Sequence, residues 1–161
     1  MAGGDVRAST RVLTCRADGK ICALPIAHVL ETMRPLPVRP LADLPPFVLG
    51  LALIRGWPTP VVDARTLLGG SGARPAGRYV TLRLATDDAR RVAALAVDAV
   101  LGVADLEEQA LGELPALLKT TRGELIRALG SLDSELLLVL EHSRVLPPEF
   151  WPQLGTSEVH A

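Results

Sequence analysis

An all-β domain with only a few short helices is predicted by three features of this 161-residue sequence. Apolar residues fall in short runs closed by Gly, Pro or Asp-Gly, which is the mark of strands rather than helices. Roughly ten such runs follow one another without the alternating helical segments that would announce a βαβ architecture. Hydrophobic residues make up 48% of the chain and aromatics only 3%, so a packed interior must be built from Val, Leu, Ile and Ala. The length suits one domain, or two small lobes sharing a core.

Residues 1–9 are small and polar and are expected to be disordered. RVLTCR (11–16) and KICALP (20–25) form a first hairpin around Ala17-Asp18-Gly19, and a two-residue Asp-Gly turn places Cys15 directly opposite Cys22. The pair can be read as a cross-strand redox couple or as two passive buried thiols, and a reducing cytosol favours the second. In PIAHVLETMRP (25–35) the apolar residues Ile26, Val29, Leu30 and Met33 stand at i, i+3, i+4, i+7, which predicts a short amphipathic helix with His28 on its surface. The proline-punctuated segment 35–46 reads as an extended, ordered connector.

The stretch Phe47–Leu68 organises the rest. Val48–Ile54 and Pro60–Val62 read as strands joined by Arg55-Gly56-Trp57-Pro58, with Gly56 free to take positive φ. Asp63 closes the second strand and caps one helical turn, Ala64–Leu68, stopped by Gly69-Gly70. Arg55, charged and set between an apolar strand and a Gly-Trp-Pro turn, is either ion-paired or offered to a partner.

Residues 69–77 form a loop. RYVTLRLA (78–85) and RVAALAVDAVLGVADL (91–106) read as two strands around a turn at 86–89, and 106–119 as a loop with short helical turns. LIRALGSLDSELLLVL (125–140) is a last hairpin turning over 131–135. His142–Leu146 starts a C-terminal helix stopped by Pro147-Pro148, and Phe150 and Trp151 in the tail can dock back on the domain.

Gly50, Ile54, Arg55, Gly56, Pro60, Val61, Val62, Asp63, Arg65 and Leu68 together resemble the core signature of the CheW-type chemotaxis adaptor domain. A second motif, Asp98 followed by Val100-Leu101-Gly102-Val103, stands at the matching distance. The resemblance covers residues 10–147, with Thr32 and Glu141 departing from the usual residue types. It implies two intertwined five-stranded SH3-like β-barrel lobes, divided near 69–77, with a C-terminal tail over 148–161. It further implies a non-catalytic scaffold that bridges the cytoplasmic tip of a methyl-accepting chemoreceptor and the regulatory domain of a histidine kinase, and that sits with receptor arrays at the inner membrane. Ile26, Val29, Glu31, Tyr79 and Val103 map by resemblance near a groove between the lobes. Arg55 and Gly56 map near the kinase- and receptor-contacting surface.

The residues point away from other classes. A net charge of −1 gives no electrostatic case for nucleic acid or membrane surface. No apolar run approaches the roughly 20 residues that span a bilayer, and MAGGDVRAST lacks a signal-peptide core, so the expected location is cytoplasmic. His28, His142 and His160 share no metal-ligand spacing with the cysteines, and no Walker loop, dinucleotide fingerprint or nucleophile elbow occurs. No catalytic residue, cofactor or metal is therefore expected. Two rivals stay open at this point: an adaptor of the same fold serving another array, such as type IV pilus or surface motility, and a small thiol enzyme using Cys15 or Cys22.

Overall fold

Strands that are apolar at every position, not at every second one, are the feature that shapes this molecule. A computed structural model describes residues 9–70, 74–85, 88, 91–112 and 125–152. The expectations for 1–8, for the centre of the 69–77 loop, for most of the 86–89 turn, for helical turns over 113–119 and for the tail beyond Pro152 lie outside the described residues.

The described chain runs β1 Ser9–Ala17, β2 Lys20–Pro25, β3 Val29–Met33, β4 Val38–Arg39, β5 Val48–Ile54, β6 Trp57–Asp63, α1 Ala64–Leu67, β7 Arg78–Arg83, β8 Val92–Val97, β9 Ala99–Glu107, β10 Ile126–Leu132 and β11 Glu135–Leu140. The first sheet has the order β10-β11-β2-β1-β9 and the second β3-β7-β8-β6-β5-β4. Both follow one pairing scheme. Read from β9, the first is antiparallel to β1, antiparallel to β2, parallel to β11 and antiparallel to β10. Read from β3, the second is antiparallel to β7, antiparallel to β8, parallel to β6 and antiparallel to β5.

The two lobes differ in how the chain visits them. The second is built without interruption from β3 to β8, whereas the first joins the N-terminal hairpin to the three last strands. That interlacing is what the expected intertwining amounts to. Two points are corrected. The second sheet carries a sixth strand, the two-residue β4 paired to β5. The lobes do not divide near 69–77, because β6 before that loop and β8 after it pair side by side. The chain passes between sheets at the 3-10 turn Ile26–His28 and at the single residue Asp98.

Three apolar clusters explain the continuous apolar strands. Val12, Ile21, Ala23, Leu106, Leu137 and Val139 fill the inside of the first lobe. Ala52, Ile54, Val61, Tyr79, Ala94 and Ala96, with Met33 and Val38 against them, draw on all six strands of the second sheet, which therefore curls around them. The largest cluster lies between the lobes and includes Leu13, Cys15, Cys22, Leu24, Val62, Val80, Leu82, Leu95, Val97 and Leu138. Along β2, Ile21 and Ala23 enter the first lobe while Cys22 and Leu24 enter the shared core, so both faces are dry. Cys15 does stand opposite Cys22, both as buried free thiols. A hydrogen bond to Cys22 and burial push the Cys15 thiol up, away from the reactive thiolate.

Three hairpins turn on two residues of positive φ: Asp18-Gly19, Arg55-Gly56 and Asp133-Ser134. Such turns match the right-handed strand twist. The last is tighter than the span 131–135 read from sequence, since Leu132 already pairs with Glu135. At Gly56, φ is +80 and a Cβ would meet open space, so a substitution there is penalised by backbone strain alone. Gly56→Val is expected to destabilise by roughly 1–3 kcal/mol; a melting curve superimposable on wild type would contradict a strained turn.

The helix expected over 25–35 does not form. A 3-10 turn takes Ile26–His28, and Val29–Met33 is an edge strand paired with β7. A bulge at Leu30 shifts the alternation by one, which is how an apolar set with helical spacing fits a strand. An isolated helix of this length is marginal in water, and pairing with β7 satisfies the backbone instead. The run 91–106 is two strands, not one, broken at Asp98. In place of a C-terminal helix there are two 3-10 turns, His142–Arg144 and Pro148–Phe150, cut short by the prolines between them. His28 stacks on His142 with ring centroids 3.4 Å apart, and burial first, then His28, holds the His142 imidazole below its usual range.

Candidate functional site

The β5–β6 hairpin projects its tip beyond the lobe, and the tip carries an ion pair set among exposed apolar groups. Arg55 donates from Nε to Glu31 Oε2 and from a terminal nitrogen to Glu31 Oε1, both at 3.0 Å. This two-pronged arrangement is the geometry in which a guanidinium and a carboxylate fit best. Glu31 lies on β3 and Arg55 on the β5–β6 turn, towards opposite ends of the strand order, so their contact helps close the curled sheet. The Arg55 side chain stays 76% exposed. Beside it, Leu53 is 68% and Trp57 61% exposed.

Glu31 is held in place by the β3 bulge. Its amide donates to Thr81 Oγ1 and the Thr81 hydroxyl donates to the Glu31 carbonyl, which fastens the strand just past Leu30. The bulge turns Leu30 outward. The corresponding edge strand of the first lobe, β9, has the same device: its pairing with β1 shifts register at Thr14/Cys15, and Leu101 and Val103 point to solvent. The sequence segments that carry the two bulges are Val29-Leu30-Glu31 and Val100-Leu101-Gly102.

The seven partner-facing residues expected from the sequence thus scatter. Glu31, Arg55 and Gly56 come together at the hairpin tip. Ile26 and Val29 are half-buried against the shared core, on the crossover and on β3. Val103 is exposed on β9, in the other sheet. Tyr79 is a correction. It lies inside the second lobe, 3% exposed, and its hydroxyl donates to the Leu36 carbonyl, so its place in the chain is interior packing and not a surface. Burial pushes its phenol up. Leu53, Trp57, Leu30 and Leu101 went unnoticed in the sequence, since nothing local tells an outward from an inward residue in a strand that is apolar throughout.

The acidic strand ends behave as caps and pairs, with the partners now assigned. Asp63 accepts from the Arg65 amide, from Arg65 Nε at 3.0 Å and from the Thr66 hydroxyl. Asp98 faces Arg65 and Arg74, and neither carboxylate pairs with Arg55 or Arg78. Among the described residues no group of three or more His, Cys, Asp and Glu could hold a metal ion. What remains is a surface suited to binding rather than bond-making.

Residues 11–149 match the CheW-like domain. The chain belongs to the CheW-like domain family. A chemotaxis protein CheW of Rhizobium meliloti (strain 1021) is 26% identical over 132 residues, 82% of this chain and 83% of that protein. A probable chemotaxis protein CheW of Rhizobium etli is 24% identical over 124 residues, covering 77% and 78%. The crystal structure of the scaffolding protein TtCheW from Thermoanaerobacter tengcongensis superposes with a TM-score of 0.71 at 19% identity, over 83% of this chain and 90% of that one, and shows the same fold. The CheW-like fold thus sets the hairpin tip and the two bulged edges in a common frame, the first on one lobe and the edges one on each.

Proposed function

We propose that this CheW-like chain is a non-catalytic scaffold that couples methyl-accepting chemoreceptors to a chemotaxis histidine kinase, taking the receptor's cytoplasmic tip and the kinase's regulatory domain as its partners. The exposed hairpin tip is the observation that carries this: a guanidinium held rigid by Glu31 and flanked by Leu53 and Trp57. Aromatic and Arg side chains are the commonest anchors of protein interfaces, and a pre-ordered Arg loses little freedom when it docks. The bulged edges bearing Leu30 on β3 and Leu101 and Val103 on β9 supply the apolar contacts, with Ile26 and Val29 beneath, and edge strands are natural places to receive another chain. Membrane association comes through the receptor, in the cytoplasm at the array; among the described residues no helix is long and apolar enough to cross a membrane. The raised Cys15 thiol, packed against Cys22, speaks against a thiol enzyme.

Arg55→Ala tests the assignment. The pair is surface-exposed, so the variant is expected to melt near wild type while failing to co-sediment with a kinase regulatory-domain fragment and receptor-tip fragments. Lowered melting with binding intact would make the Glu31–Arg55 pair purely structural.

A further inference from the structure

Three segments from both lobes converge on one carboxylate. Arg65, only 1% exposed at its side chain, donates from Nε to Asp63 Oδ1 at 3.0 Å and from a terminal nitrogen to Asp98 Oδ1 at 3.4 Å. The other oxygen, Asp98 Oδ2, accepts the Asp18 amide of the β1–β2 turn at 2.7 Å, and the Asp98 amide donates to the Arg16 carbonyl at 2.9 Å. Gly70, at the end of the α1 segment, lies so close to the Asp18 carboxylate that a Cβ there would collide with it. The two ends of this chain of contacts are unlike. Asp63 is fully buried, whereas the Asp98 side chain is 24% exposed and has a second cation, Arg74, at 3.9 Å.

The junction sits between the two surfaces described above. The seven-residue strand β6 starts at the hairpin tip and ends on Asp63. Strand β9, whose outer edge carries Leu101 and Val103, begins at Ala99, directly after Asp98. Interfaces between packed elements change by switching between discrete arrangements, not by bending continuously. Asp98 has two such arrangements in reach, held by Arg65 or released towards Arg74.

We propose that the Asp63–Arg65–Asp98 junction is a coupling element through which a partner docked at the hairpin tip changes the affinity of the β9 edge for a second partner; this rests on the scaffold function above. Coupling between sites is reciprocal and commonly amounts to 5–150-fold. Arg65 and Asp98 act here as positioning residues that touch neither partner.

The test measures receptor-tip fragment binding with and without saturating kinase regulatory-domain fragment, on the full chain. Wild type is expected to show a change of about fivefold or more. Asp98→Asn keeps an oxygen for the Asp18 amide but loses its attraction to Arg65. It is expected to bind each fragment alone as wild type does, with the coupling reduced to unity. Asp105→Asn, which removes the exposed Arg11–Asp105 pair on the same strand, is expected to leave coupling intact. Absent coupling in wild type, full coupling in Asp98→Asn, or equal loss in Asp105→Asn overturns the proposal. If wild type binds neither fragment, the scaffold assignment fails and hydrogen exchange decides on the junction. Asp98→Asn must then let β1, β2 and β9–β11 exchange separately from β6–β8, and unchanged cooperative exchange overturns it.

Discussion

Arg65→Ala is expected to lower the free energy of unfolding by about 3–5 kcal/mol, the range for removing one partner of a buried ion pair. The guanidinium is the charge partner of a carboxylate with no solvent exposure, and without it Asp63 keeps only the Arg65 amide and the Thr66 hydroxyl. Those two donors cannot neutralise a buried negative charge. Urea unfolding of the two proteins measures the difference. A loss under about 1 kcal/mol, the scale of an exposed pair, would mean that water reaches Asp63 in the variant. Arg65→Lys is expected to fall between the two, because a single ammonium cannot reproduce the fork that spans Asp63 and Asp98.

Trp151→Ala is expected to cost a similar amount, about 3–5 kcal/mol for truncating a buried aromatic. Trp151 is 8% exposed and belongs to the core between the lobes, although it follows the last strand by eleven positions. The Arg91 guanidinium stands 5.8 Å from its ring centroid, and its neighbour Phe150 meets Phe47 edge-on at 5.8 Å. The last turn therefore reaches across from the first lobe to residues ahead of β5 and β8. Thermal melts monitored by far-ultraviolet circular dichroism read the effect, and an unchanged midpoint would show that the aromatic contacts contribute nothing beyond surface packing.

Much of this architecture was legible because turn chemistry is local. Asp18-Gly19 and Arg55-Gly56 fixed two hairpins, the first set Cys15 against Cys22, and Asp63 announced its own cap. The docking of Phe150 and Trp151 followed from two aromatics after a pair of prolines. What was not legible depends on distant pairing. Ile26, Val29, Leu30 and Met33 have helical spacing, and only the presence of β7 and a bulge at Leu30 makes them a strand. Asp98 looked like one position in a long strand because its role, turning the chain from one sheet into the other, needs both sheets to exist. Glu31 and Arg55 were both picked out, yet their pairing was not, since it comes from sheet curvature and not from spacing. Tyr79 was misplaced for the same reason: in a strand buried on both sides, an aromatic with a polar tip looks no different facing a partner or facing Leu36.

The interlaced order of the strands has a consequence for how this chain is made. The lobe of β3–β8 can close as soon as Val97 leaves the ribosome. The hairpin β1–β2 emerges first of all, but its pairing edges belong to β9 and β11, and Thr14 waits for Gly102, 88 positions later. At typical synthesis rates the interval from β2 to β11 is on the order of ten seconds. Through that time the Leu13, Cys15, Cys22 and Leu24 face can rest on the finished lobe, while the Val12, Ile21 and Ala23 face stays open to water. The oldest part of the nascent protein is thus the last to be sheltered, and it is the part that a chaperone would meet.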